Sequence, residues 1–266
     1  MATQSIRLGE LETRAIFALE EAEAGIITSS ELAKMLKISK NRANKLAWQL
    51  AGKRRLIRVR KGIYLFAPMK SGRQGVWTEN ALASVPALMA GRQYYVGFWT
   101  ALNYYGLTEQ IPFTVQIVTT ARRRAFEALQ SRFEFVQVRR LGKWREEEIG
   151  GKRVRFATME QLIVDCLSMP ERSGGVKEAC KALWNARKTV RWEVLEALAA
   201  NSNDAVRRRL GYLSELLGLR RFKAEKTVGW RWLDPSAAKK AFAKSAKWGL
   251  LLNVAEKELT EWRNIE

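Results

Sequence analysis

Histidine is absent from this chain. Its absence removes the commonest general base, the commonest metal ligand and every Ser–His or Cys–His nucleophile pair. The aspartates are Asp165, Asp204 and Asp234, too scattered to form an Asp-x-Asp pair for two divalent metals. Cys166 and Cys180 cannot build a four-ligand zinc site without histidine, and no Gly-rich phosphate loop precedes a lysine. Glu160 and Asp165 share a predicted helix, but five residues set them about 140° apart around its axis. They do not converge as an acid–base pair, and Asp165 reads as locally satisfied. Glu146-Glu147-Glu148 reads as a solvated hairpin edge. No catalytic residue, metal ligand or cofactor is assigned, and the chain is not expected to be an enzyme. The chemistry within reach is binding. Lys34, Lys37, Lys40, Arg42, Lys45, Lys53, Arg54, Arg55, Arg58, Arg60 and Lys61 are eleven basic residues in one stretch, with no acidic residue among them. Cations without countercharges repel one another, and a polyanionic partner relieves that repulsion.

The elements that must hold these side chains can be read around them. Thr28 or Ser29 can cap a helix, and Glu31 follows Thr28 at capping-box spacing. Leu32, Ala33 and Leu36 give that helix an apolar face, and Lys37-Ile38-Ser39 is the length of a turn. Ser39 can cap a second helix over Lys40 to Ala51, where Ala43, Leu46, Ala47 and Leu50 fall on one side at helical spacing. The other side then presents Asn41, Lys45 and Trp48, flanked by Arg42, Asn44 and Gln49. Side chains of these types reach base edges and phosphates in a major groove. Gly52 ends the helix. Leu56 to Val59, Arg60-Lys61-Gly62 and Ile63 to Phe66 read as strand, turn and strand, closed by Pro68. Lys40, Asn41, Asn44 and Lys45 are expected at bases or phosphates beside the Ser39 cap, with Arg42 at the groove edge. Lys53, Arg54, Arg55, Arg58, Arg60 and Lys61 are expected along the phosphate backbone. Trp48 either faces the groove or packs on the wing or a second subunit.

A length of 266 residues suggests two domains, and a net charge of +20 suggests a chain that seeks polyanions. The expected fold is α+β, an N-terminal winged helix-turn-helix plus a larger mixed α/β C-terminal domain ending in helices. The boundaries are 1–68 for the DNA-binding domain, 69–75 for a linker and 76–266 for the remainder. A first helix over Leu8 to Ala22 braces the helix-turn-helix, and Thr78 caps a helix through Met89. Strands follow at 94–96, 113–118 and 133–138, with Arg122-Arg123-Arg124 opening a short helix between the last two. A hairpin over 143–157 turns at Gly150-Gly151, and Thr158 caps a helix through Leu167. Helices are expected over 176–186, 191–200 and 204–217. Trp230 to Pro235 reads as strand and turn, Lys247 to Val254 as a strand or buried segment, and Glu256 to Trp262 as a final helix. Arg207-Arg208-Arg209 reads as a solvated helix face, with nucleic-acid contact as the alternative, and Trp230, Trp232 and Trp248 as core or interface residues rather than a base-stacking platform. Two cysteines fit a reducing cytosol. No apolar run is long enough to span a membrane, and Met1-Ala2-Thr3-Gln4 lacks a signal-peptide core, so a cytoplasmic location is expected.

With both halves in view, the chain resembles the AbiEi antitoxins, transcriptional regulators of type IV toxin–antitoxin systems of the abortive-infection group. The resemblance lies in the order of several pieces. They are the wing Leu56 to Tyr64, Tyr94-Tyr95-Val96-Gly97, Ala101-Leu102, Tyr105 to Pro112, Thr119 to Arg124, Met159 to Leu167 and Trp248 to Asn253. It implies that the winged helix binds inverted repeats at its own promoter and represses it. It also implies that the C-terminal domain counteracts a nucleotidyltransferase-like toxin, with no stable complex required. Arg122, Arg123 and Arg124 then form a candidate nucleic-acid or antitoxin surface. The alternatives are a DNA-targeted nuclease or nucleotidyltransferase, and a non-specific nucleic-acid-binding protein.

Overall fold

The computed structural model describes residues 7–69, 81–89, 91–225 and 228–264. The expected linker therefore lies outside the described residues apart from Met69, as does the Thr78 cap. The fold is mixed α+β. The elements are α1 (Glu10–Glu21), β1 (Ile26–Thr28), α2 (Ser29–Leu36), α3 (Lys40–Gly52), β2 (Leu56–Arg60) and β3 (Ile63–Phe66), then α4 (Val85–Met89) after a single 3-10 turn. There follow β4 (Tyr94–Val96), α5 (Phe98–Tyr104), β5 (Thr114–Thr119), β6 (Phe126–Ala128), β7 (Ser131–Gln137), β8 (Trp144–Ile149) and β9 (Lys152–Ala157). The remainder is α6 (Met159–Ser168), α7 (Gly175–Asn185), α8 (Trp192–Ala200), α9 (Asp204–Leu216), β10 (Arg231–Trp232), β11 (Ala243–Ser245), β12 (Leu250–Leu252) and α10 (Glu256–Thr260). Three sheets run in the orders β1-β3-β2, β6-β7-β5-β4-β9-β8 and β10-β12-β11. Two compact units emerge: 1–93 with 123–134 and 148–154, and 94–122 with 135–147 and 155–266.

In the first unit, a capping box sets the start of α2. The Thr28 hydroxyl accepts from the Glu31 N–H at 3.1 Å, and the Glu31 carboxylate accepts from the Thr28 N–H at 2.8 Å. Ser39 caps α3 through its hydroxyl, which accepts from the Arg42 N–H at 3.3 Å. Ala15, Ile16 and Leu19 of α1, Leu32 and Leu36 of α2, Leu46, Ala47 and Leu50 of α3, and Leu56, Tyr64 and Phe66 of the strands form one apolar core. The strand β1, which pairs antiparallel with β3, was not anticipated, because three residues carry no alternation to read.

The expected short helix at Arg122-Arg123-Arg124 does not form. These residues lead directly into β6, which pairs with β7 through Ala128 opposite Ser131. The two turn residues, Leu129 and Gln130, both take positive φ, at 52° and 54°. A hairpin that twists with its strands outweighs the weak helical preference of three arginines. In the second unit, α6 is buried from Glu160 to Leu167 and packs against α7, α8 and α9. The Gly150-Gly151 turn forms as expected, with φ of 54° and 72°. Helices α6 to α9 lie within a residue or two of their expected spans.

Candidate nucleic-acid interface

The helix α3 buries Ala43, Leu46, Ala47 and Leu50. The remaining face is set by that choice, since 3.6 residues per turn put Asn41, Lys45 and Trp48 opposite the buried side and Arg42, Asn44 and Gln49 on its flanks. Ser39, Lys40, Asn41, Arg42, Asn44, Lys45, Trp48 and Gln49 are all exposed, and Trp48 retains 71% of its accessible surface. Among the described residues, none of Lys40, Arg42 or Lys45 forms an ion pair. The side chains are polar, cationic and unspent, on a helix whose inner face is fixed by packing.

The ribbon after α3 is held against the same unit. The Ser29 N–H donates to the Gly62 carbonyl at 3.0 Å, which ties the turn to the start of α2. Gly62 takes φ +75°, a conformation that costs a side chain its usual geometry. Between Arg58 and Arg60 the pairing register shifts by a bulge. Arg54, Arg58 and Lys61 are exposed without an ion-pair partner among the described residues. Arg60 lies in β2, and its side chain falls outside the described residues.

Two of the expected phosphate contacts are placed otherwise. Lys53 is turned toward α1, where its ammonium donates to Glu12 Oε2 at 2.5 Å and to the Arg7 carbonyl at 2.7 Å. Glu12 is itself buried. Burial works against its charged form, but the hydrogen bonds from Lys53 and from the Gly9 N–H, with the Lys53 charge, outweigh it and hold the carboxyl below its usual range. The pair pins the end of α3 to the start of α1. Arg55 is only 5% exposed, because its backbone continues from α3 into β2 and bonds to both Leu50 and Ala67. Its Nε and Nη1 have no hydrogen-bond partner among the described residues. The spacing of basic residues gives no hint of either placement, since a side chain's direction at the end of a helix depends on the tertiary neighbour.

The candidate arginines further along also divide. Arg122 and Arg124 are exposed, whereas Arg123 is half-buried with Nη1 donating to the Leu88 carbonyl at 3.1 Å. Arg208 and Arg209 are not a solvated face: they are 2% and 4% exposed. Arg208 donates to the carbonyls of Val228, Gly229 and Gly249, and Arg209 to those of Leu167 and Trp232. They satisfy backbone oxygens where strands too short for a full ladder meet α9.

The two carboxylates of α6 are likewise spent. Glu160 is gripped by Arg191 through Nε at 2.9 Å and Nη2 at 3.1 Å, with the Arg191 N–H adding a third bond. Asp165 accepts from the Tyr95 hydroxyl and from Gln161 Nε2, each at 2.8 Å. Burial pushes its carboxyl up to about 6, against the pull of those two donors. Among the described residues no group of three histidine, cysteine, aspartate or glutamate side chains is placed to hold a metal ion. No helix among them is long and apolar enough to cross a membrane.

The fold is α+β, and its first unit contains two helices joined by a short turn, α2 and α3, followed by the β2-β3 ribbon. The chain's fold is shared with the crystal structure of the RV2827C protein from Mycobacterium tuberculosis, at a TM-score of 0.67, with 97% of this chain and 96% of that chain covered at 15% identity. Identity that low speaks for the fold alone. No family model matches the chain, and no curated protein does.

Proposed function

We propose that the chain is a sequence-specific duplex-DNA-binding repressor of the AbiEi antitoxin type, acting in the cytoplasm on the promoter of its own operon. The observation that carries this reading is the face of α3. Asn41, Asn44 and Lys45 are exposed with no ion pair among the described residues, on a helix followed directly by a ribbon bearing the unpaired Arg54, Arg58 and Lys61. In such a surface the amide and ammonium side chains read base edges, and the ribbon cations neutralise phosphates. Each good bidentate base contact contributes roughly 1–3 kcal/mol of discrimination. The antitoxin half of the proposal rests on the resemblance of the second unit's stretches, from Tyr94-Tyr95-Val96-Gly97 to Trp248-Gly249-Leu250-Leu251-Leu252-Asn253, to that group. Its functional partner is a nucleotidyltransferase-like toxin, without a requirement for a stable complex.

Footprinting on the DNA upstream of the chain's own reading frame tests the repressor reading. Protection of an inverted repeat, with random duplex competing at least about a thousandfold more weakly, is expected. Equal competition by random duplex selects a non-specific binder instead. Rescue of growth when the chain is expressed with the product of a neighbouring nucleotidyltransferase-like reading frame tests the antitoxin half separately.

A further inference from the structure

In the C-terminal sheet β10-β12-β11 the central strand turns one side inward and the other outward, between two largely exposed edge strands. In its central strand, Leu250 and Leu252 are buried while Leu251 between them is half-exposed. Leu251 pairs with Trp232 on one side and Lys244 on the other, so these three side chains stand in one row on the outward face. Trp230 joins them, since the Lys244 ammonium sits 5.4 Å from its ring centroid. Trp230 is 43% exposed, and Phe242, just before β11, is 63% exposed. Large aromatic surface left in water at this density marks a contact site.

The stretch that leads through β11 toward β12 is one-sidedly charged, while the acids recorded at the sheet's margins, Asp204 and Glu215, are paired with Arg231 and Lys247. From Lys239 to Lys247 there are four lysines and no acidic residue. Lys247 is paired with Glu215, but Lys239, Lys240 and Lys244 are exposed without an ion-pair partner among the described residues. The nearby Asp234 is turned inward, where it accepts from the N–H groups of Val176 and Ser236 and from the Ser236 hydroxyl. A second copy of a chain carrying +20 would bring like charge to this face, and a purely apolar partner would leave the lysines unpaired. An occupant with flat rings and regularly spaced anions satisfies both features.

We propose that the outward face of this sheet binds single-stranded nucleic acid, with Trp230 and Phe242 stacking on bases and Lys239, Lys240 and Lys244 meeting phosphates. This site is separate from α3 and does not depend on the repressor reading. Duplex DNA hides its base faces inside the stack, so it offers the cations a partner but not the rings.

The test uses the full chain and fluorescence anisotropy with labelled oligo-uridine and oligo-thymidine 12-mers and an unrelated 12-base-pair duplex. The wild type is expected to bind a single strand more tightly than the duplex, with the preferred 12-mer showing whether the natural ligand is RNA or DNA. The Trp230→Ala/Phe242→Ala variant should lose about tenfold or more of that affinity while its melting transition and duplex binding stay as in the wild type. Trp230→Phe should retain most of it, and Lys239→Glu/Lys240→Glu/Lys244→Glu should lose it. Undiminished single-strand binding by the double alanine variant, a duplex that competes as well as the single strands, or no single-strand binding by the wild type in about 50 mM salt would each overturn the proposal.

Discussion

The wing offers a prediction in which structure and simple charge counting disagree. Counting gives Lys53, Arg54, Arg55, Arg58, Arg60 and Lys61 as six equal phosphate contacts. The structure leaves Arg54, Arg58 and Lys61 exposed and unpaired among the described residues, binds Lys53 to the buried Glu12, and buries Arg55. Each neutralised phosphate adds about 0.9 to the slope of log affinity against log salt. Replacing all three exposed cations should therefore flatten the slope by about 2 to 3 units. Arg58→Ala and Lys61→Ala serve for two of them. Arg54→Asn suits the third, because Arg54 takes φ 57°, which asparagine tolerates better than most residues. Lys53→Ala should leave the slope unchanged and instead cost about 1–3 kcal/mol of stability, since Glu12 loses its charged hydrogen-bond donor. The assays are operator titrations between about 50 and 200 mM salt, with urea unfolding of each variant alongside. A slope that falls equally for Lys53→Ala, or that stays fixed for the triple variant, refutes this placement of the cations.

Asp165 makes stability depend on pH in an unusual direction. Its folded-state pKa lies near 6 against an ordinary 3.8, so between those values the folded chain holds a proton that the unfolded chain has released. The stability of the wild type relative to Asp165→Asn should then fall by about 3 kcal/mol as pH rises from about 3 to about 7. A difference that does not change with pH in urea titrations contradicts this. Gly211→Ala should destabilise the chain by about 1–3 kcal/mol despite a better helix former, because the added Cβ would lie 2.1 Å from the Trp248 ring; an unchanged melting temperature is the contrary result. Burial raises the thiols of Cys166 and Cys180 to about 12, so both should resist iodoacetamide at pH 8 until the chain unfolds, as mass spectrometry can show.

Much of this was legible in the sequence where local chemistry decides the outcome. The Thr28 to Glu31 box, the Ser39 cap and the inner stripe of α3 sit where spacing places them, because a helix start and an apolar face are local properties. The Gly150-Gly151 turn is of the same kind. What could not be read depends on partners distant in the chain. Lys53 finds a buried glutamate 41 residues away, and Arg208 and Arg209 serve carbonyls 20 to 42 residues away. A triplet of arginines looks the same in sequence whether it faces water or holds two short strands together. The outward face of the C-terminal sheet was hidden too, since strands of two or three residues show no alternation that would separate the half-exposed Trp230 from the buried Trp248.

The most direct measurement is a footprint with the Asn41→Ala/Lys45→Ala variant on the operator that the wild type protects. Both side chains are exposed, so the variant should fold as the wild type does. Loss of specific protection, with weak binding to random duplex retained through Arg54, Arg58 and Lys61, is the expected result. A footprint of unchanged position and strength would mean that α3 does not read DNA.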